Sequence, residues 1–103
     1  MSPERVQKLE SMLQKSPNDG FLLYALAMEH KKTNATEAIR LLRRAIEVDA
    51  GHCYAYFQLG QTLELTGDLE TAKKTYRDGI TAAQRVGDAH AKEEIAGALS
   101  MIE

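Results

Sequence analysis

Residues 52–86, HCYAYFQLGQTLELTGDLETAKKTYRDGITAAQRV, decide the fold of this chain. Apolar side chains recur at three- and four-residue steps on both sides of Gly67-Asp68, which predicts helices over about 52–65 and 69–85. Glycine favours the left-handed backbone that ends many helices, and aspartate is a preferred N-cap. The stretch therefore predicts two helices joined by a tight turn.

The same plan occurs one step earlier in the chain. A period near 34 residues with two helices in each period is typical of a helical-hairpin solenoid. Small residues inside these helices indicate close helix packing, because an interior glycine costs about 1 kcal/mol relative to alanine unless something offsets it. The residues that recur at this spacing are Ala38, Leu42 and Ala45, which return as Ala72, Tyr76 and Gly79.

Four further helices complete the prediction. The first starts at Pro3 with Ser2 as its N-cap and ends before Pro17, since the residue before a proline is pushed out of the helical region. Apolar periodicity predicts the others over about 20–32, 36–48 and 89–102. No strand pattern competes, so we expect an all-α chain of six helices.

The residues also resemble one repeat family, the tetratricopeptide repeat (TPR) family. Its pattern is an aromatic residue, a Leu-Gly pair, then Ala-x-x-x-aromatic and a proline. The sequence departs from it at Leu63, where the family prefers tyrosine, and at Gln84, where it prefers proline. The matching residues are Tyr56, Leu59, Gly60, Ala72 and Tyr76.

The resemblance implies one domain, residues 1–103, built as a right-handed superhelical stack of about three TPR-like hairpins. Its expected parts are a partial repeat helix at 3–17, repeats at 19–52 and 53–86, and a C-terminal capping helix at 87–103. Such a stack presents a concave groove to a protein or peptide segment, so the resemblance implies a non-catalytic interaction module, an adaptor, scaffold or co-chaperone-like protein.

The first helix of each hairpin lines the groove in this family. An extended or helical partner held by apolar contacts fits these residues better than a C-terminal carboxylate, because the lysines and asparagines of the carboxylate-clamping subfamily are missing. Two alternatives stay open: helix 89–102 or a second copy of the chain fills the groove, the latter making a weak homo-oligomer rather than a monomer. The implied partner-binding residues are Phe21, Tyr24, Met28, Tyr54, Phe57, Gln58, Gln61, Glu64 and Leu65, and, less directly, Ala25 and Lys31 or Lys32.

Composition narrows the function classes. A net charge of −2 disfavours nucleic-acid binding through bulk charge. The N-terminus has no apolar region typical of a signal peptide, no stretch is long enough to span a membrane, and Cys53 has no second cysteine to pair with, so we expect a cytoplasmic protein. His52-Cys53, the only adjacent pair of metal-ligand types, is interpreted as the start of a helix. We expect no catalytic, metal or cofactor site.

A basic ridge on the convex side is the one charged feature with two interpretations. The four positions repeat at a spacing of 34 residues and stand among acidic residues, which favours a solvated face. The alternative is a docking ridge for an acidic partner, RNA or anionic lipid. The basic residues are Arg40, Arg43, Lys74 and Arg77, and the acidic ones are Glu37, Glu47, Glu70 and Asp78.

Overall fold

The computed structural model describes residues 3–103, and these residues form six α-helices and no strand. The all-α helical-hairpin solenoid predicted from the sequence is confirmed, whereas the Ser2 cap lies outside the described residues. The helices are α1 Pro3–Lys15, α2 Gly20–His30, α3 Ala35–Val48, α4 Cys53–Leu65, α5 Leu69–Val86 and α6 Ala89–Ser100.

Two turns, α4–α5 and α5–α6, are built in the same way from a Gly-Asp pair. Gly67 and Gly87 take left-handed φ values of 84° and 77°. At the first turn the amide of Asp68 donates to the carbonyl of Leu63 and that of Gly67 to Glu64, both at 3.0 Å, which is the Schellman arrangement of a helix end. The carboxylates of Asp68 and Asp88 then cap the next helix, so one dipeptide ends a helix and starts another.

The predicted end of α2 differs from the observed one by two residues. The sequence predicts a helix to about residue 32, but α2 ends at His30 and a turn follows. The amides of Thr33 and Asn34 both donate to the carbonyl of His30, at 3.1 and 2.8 Å. Asn34 then accepts a hydrogen bond from the amide of Glu37 and starts α3. The turn bonds to His30 therefore end α2, and the Asn34 cap sets the start of α3. Apolar periodicity alone cannot locate either boundary.

Each helix packs against its neighbours in the chain, and α4 also contacts α6. This chain of local contacts is the pattern expected of a solenoid. The core runs through all the interhelical layers between α2 and α6, whereas α1 has no fully buried residue and only covers the edge of α2. The largest fully buried side chains are Leu41, Leu42, Thr62, Tyr76 and Ile95.

Gly60 in α4 and Gly79 in α5 make room for tyrosine side chains. A Cβ atom built on Gly60 would lie 2.2 Å from Cε1 of Tyr76, and one on Gly79 would lie 2.7 Å from Cβ of Tyr56. Both separations are far below van der Waals contact, so the bare backbone is required for α4 and α5 to approach this closely. This geometry accounts for the small residues that the repeat pattern singles out.

Candidate partner-binding groove

The first helices of the hairpins, α2, α4 and α6, stand side by side and form one face of the molecule. Side-chain contacts bridge α2 to α4 and α4 to α6 along this face, which we call the groove. The helix α6 packs on α5 and α4, burying Ala91, Ile95 and Leu99. It therefore lies beside α4 as a third wall.

A polar network joins α2 to α4 in the groove. Nζ of Lys31 donates to Oε1 of Gln58 at 2.6 Å and to Oε1 of Gln61 at 2.9 Å. Partial burial lowers the pKa of Lys31, and the neighbouring charge of Lys32 lowers it further. The phenol of Tyr24 has a raised pKa because of burial, an effect that a hydrogen bond with the Gln58 side chain reduces. The two glutamines thus hold a lysine with neutral partners only.

A second network joins α4 to α6. The hydroxyl of Tyr54 donates to Oε1 of Glu94 at 2.8 Å, and Nε2 of His90 lies 2.6 Å from the same oxygen. The hydrogen bond to the Glu94 carboxylate, with a smaller contribution from desolvation, raises the pKa of Tyr54 to about 12. This bond therefore fixes the position of the Tyr54 ring on the groove surface.

Glu64 points its carboxylate at the hairpin interior as well as the groove. It accepts a hydrogen bond from the hydroxyl of Tyr76, whose ring is fully buried against Gly60. Burial and this bond raise the pKa of Tyr76. Glu64 lies in the region predicted for the groove, but one of its roles is to satisfy a buried phenol.

Apolar side chains lie between and beside these networks. The rings of Tyr54 and Phe57 meet edge to face with centroids 6.3 Å apart, and Phe57 and Met28 are each only partly covered. Two predicted groove residues at helix ends are more open, with Phe21 74% and Leu65 65% exposed. The groove is thus an aromatic and thioether surface with a charged group at each end.

Five of the nine predicted partner-binding residues take part in contacts with one another or with Lys31: Tyr24, Gln58 and Gln61 in the network with Lys31, and Tyr54 with Phe57. The other four, Phe21, Met28, Glu64 and Leu65, lie on the same two helices. Sequence reasoning left Lys31 and Lys32 as alternatives, and the bonds to Gln58 and Gln61 identify Lys31 as the lysine that reaches across the groove. It did not anticipate His90 and Glu94, because α6 carries few of the pattern residues of a repeat. His90 lies two residues after the Gly87-Asp88 turn and four residues before Glu94, and this spacing is the pattern that could have found them.

On the convex side the basic ridge is largely neutralised by neighbouring acids. Arg40 pairs with Glu37 at 2.8 Å, and Lys74 pairs with Asp78 at 3.0 Å. Arg77 pairs with Glu103 at 3.0 Å. These exposed pairs contribute little stability, but they match a solvated face of mixed charge better than a free basic surface.

The described part of the chain contains neither a metal-binding cluster nor a membrane-spanning helix. Residues 3–103 contain no group of three or more His, Cys, Asp or Glu side chains that could hold a metal ion. Cys53 is buried, and its thiol donates to the carbonyl of Gly51 at 3.4 Å. The ring of His52 lies against Tyr24, with centroids 4.8 Å apart. No helix in the described range has the length and apolarity that crossing a bilayer requires.

Comparison with known proteins agrees with the resemblance. The family model for the tetratricopeptide repeat matches residues 41–74, a stretch that begins in α3, includes α4 and ends in α5. A tetratricopeptide repeat domain protein from Salinibacter ruber, solved by NMR, is 34% identical, with a TM-score of 0.79 over 84% of this chain and 89% of that one. The chain belongs to the tetratricopeptide repeat family.

Two other relatives match this TPR protein over most of its length. A TPR repeat-containing protein from Pseudomonas aeruginosa is 28% identical over 91 residues, which cover 87% of each chain. A protein from Bordetella parapertussis has a solution structure that superposes with a TM-score of 0.81 at 28% identity, covering 94% of this chain and 85% of that one. TPR domains generally mediate protein–protein interactions.

Proposed function

We propose that this TPR chain is a non-catalytic module that holds a peptide or protein segment in the groove of α2, α4 and α6, and that it works as an adaptor, scaffold or co-chaperone-like protein in the cytoplasm. One observation carries the proposal. The half-buried rings of Tyr54 and Phe57 meet on α4, and ordered polar side chains flank them, with Lys31 bonded to Gln58 and Gln61 on one side and Glu94 bonded to Tyr54 on the other. Met28 on α2 is also half-buried. The mechanism is presentation of a preformed surface, with no bond made or broken.

The chemistry of the surface supports binding of protein. Aromatic residues and methionine are enriched at the centre of protein interfaces, where they supply large contact areas. Hydrogen bonds from Lys31 to Gln58 and Gln61, and from Tyr54 to Glu94, hold the walls in place before a partner arrives. A preformed groove lowers the entropic cost of binding. The buried thiol of Cys53, without a second cysteine, supports the cytoplasmic location.

The test is partner capture with a groove variant. Tyr54→Ala combined with Phe57→Ala should abolish affinity capture of partners from the native lysate while the helical circular dichroism signal persists. The matched control is Leu69→Ala combined with Val86→Ala, which removes exposed apolar side chains from α5 and should leave capture intact. Capture that is unchanged in the groove variant, or lost equally in the control, would contradict the proposal.

A second candidate function is self-association as a structural subunit. Two exposed apolar side chains favour it: Leu65, 65% exposed at the C-terminal end of α4, and Met101, 83% exposed at the C-terminal end of α6. Contiguous exposed apolar patches mark interfaces in many proteins, so this candidate requires the two side chains to form one patch. Sedimentation equilibrium over a wide concentration range decides it, because a monomer mass that does not change with concentration eliminates this candidate.

A further inference from the structure

At one end of the groove lies a cation, the ammonium group of Lys31, whose hydrogen-bond donors are only partly used. The ammonium group of Lys31 has three N–H donors, and two of them go to the carbonyl oxygens of Gln58 and Gln61. Among the described residues no carboxylate lies within ion-pair distance of this nitrogen. A partly buried ammonium with neutral partners is therefore prepared for a carboxylate that comes from elsewhere.

At the opposite end lies an anion, the carboxylate of Glu94, whose hydrogen-bond acceptors are also only partly used. Tyr54 and His90 both reach Oε1 of Glu94, so Oε2 has no hydrogen-bond partner among residues 3–103. The side chain of Glu94 is exposed. A carboxylate oxygen without a partner suits a cationic side chain from a bound segment.

We propose that the segment held in the groove is bipolar, with a carboxylate that pairs with Lys31 and a cationic side chain that pairs with Glu94, and with apolar residues between them. This inference rests on the proposed peptide-binding function and adds the chemistry and direction of the partner. The apolar part faces Phe57, which lies on α4 between Tyr54 and Gln61, and Met28, which lies one helical turn before Lys31 on α2. A nucleic acid does not fit, because the Glu94 end repels phosphates.

The hydrogen bonds of Lys31 and Glu94 to α4 give the approximate separation of these two charged groups. Lys31 bonds to Gln61, and Glu94 bonds to Tyr54, seven residues earlier on α4. This corresponds to about 10 Å along the helix axis. Both charged atoms lie within hydrogen-bond distance of α4 side chains, so their separation is on the order of this axial distance. An extended segment of about three residues covers it.

The experiment selects peptides of about 16 residues, long enough to span the groove even as a helix, from a random display library on the immobilised full chain. Wild-type protein should enrich peptides with an acidic and a basic residue at a fixed separation. Binding of synthetic copies should fall about tenfold in Lys31→Gln and in Glu94→Gln, as expected for charge-assisted hydrogen bonds. Lys74→Gln makes the same change of charge on the convex side and should not alter binding.

A repeated selection on Lys31→Glu gives the sharpest readout. The acidic position of the selected peptides should become basic, while the opposite end stays basic because Glu94 is unchanged. Circular dichroism of each variant checks that the fold persists. This reversal of specificity depends on direct pairing, and loss of structure cannot produce it.

The other outcomes separate this inference from the function on which it rests. Peptides whose binding is lost in Phe57→Ala but that carry no charge preference would overturn the bipolar partner and leave the binding function standing. Absence of any peptide that depends on Phe57 would overturn both. A wild-type dimer that Phe57→Ala dissociates would assign the groove to a second copy of the chain and overturn the bipolar partner.

Discussion

Replacing Gly60 with alanine tests the close approach of α4 and α5 on which the hairpin depends. The added Cβ would lie 2.2 Å from Cε1 and 2.6 Å from both Cδ1 and Cζ of Tyr76. That ring is fully buried, and its hydroxyl is bonded to Glu64, so it has little freedom to move aside. Overpacking of this kind costs typically up to about 3 kcal/mol, while the better helix propensity of alanine returns about 1 kcal/mol. We expect a net loss of about 2 kcal/mol in the free energy of unfolding.

Gly97 provides a control of the same chemistry in a different environment. It lies in α6, and a Cβ atom there would meet no heavy atom within 4 Å. Gly97→Ala should therefore stabilise the protein by about 1 kcal/mol through helix propensity alone. Urea unfolding followed by circular dichroism measures both variants, which should fall on opposite sides of wild type. In thermal unfolding the midpoints should move by about 10 °C downward for Gly60→Ala and about 5 °C upward for Gly97→Ala.

A double-mutant cycle identifies the cause of the Gly60→Ala effect. Tyr76→Leu removes the ring atoms that the new methyl group would strike. In that background Gly60→Ala should cost much less than in wild type, which would show coupling between the two positions. A Gly60→Ala protein as stable as wild type, or an equal cost in both backgrounds, would refute the steric argument.

Three further predictions concern the caps, the last helix and alkaline pH. Asp19→Ala should lower the unfolding free energy by about 1 kcal/mol in urea titrations, because Asp19 caps α2 by accepting from two backbone amides. Ile95→Ala should cost about 2 to 5 kcal/mol, since Ile95 is fully buried; a cost well below 1 kcal/mol would mean that α6 is not part of the cooperative unit. Because the folded pKa of Tyr54, about 12, and that of Tyr76 lie above the usual value near 10, their contribution to stability is complete below pH 10 and is lost as pH rises through the folded pKa values. Phenolate absorbance and helical circular dichroism should therefore change together above pH 10, and full phenol ionisation at pH 10 with intact helices would contradict this.

The helices and the family could be predicted from the sequence because their determinants are local. The Gly-Asp turns need one residue that tolerates left-handed backbone and one that caps, and both are visible as Gly67-Asp68 and Gly87-Asp88. Apolar periodicity and the 34-residue spacing of small residues likewise need no knowledge of neighbours in space. The small residues at Gly60 and Gly79 indicated close packing before the facing rings of Tyr76 and Tyr56 were known.

The charged ends of the groove could not be predicted in the same way. Lys31 and Lys32 are adjacent, and the turn that follows them is one residue shorter than the corresponding turn of the next repeat, so the sequence does not determine which of the two lysines faces the groove. Only the stacking of the α2–α3 hairpin on α4 brings Lys31 to Gln58 and Gln61, and only the packing of α6 against α4 brings Glu94 to Tyr54. Sequence by itself determined the helices, their turns and the repeat, since each depends on residues a few positions apart. The tertiary structure decided which side chains meet across the groove, because those contacts join residues 27 to 40 positions apart and depend on how the helices rotate against one another.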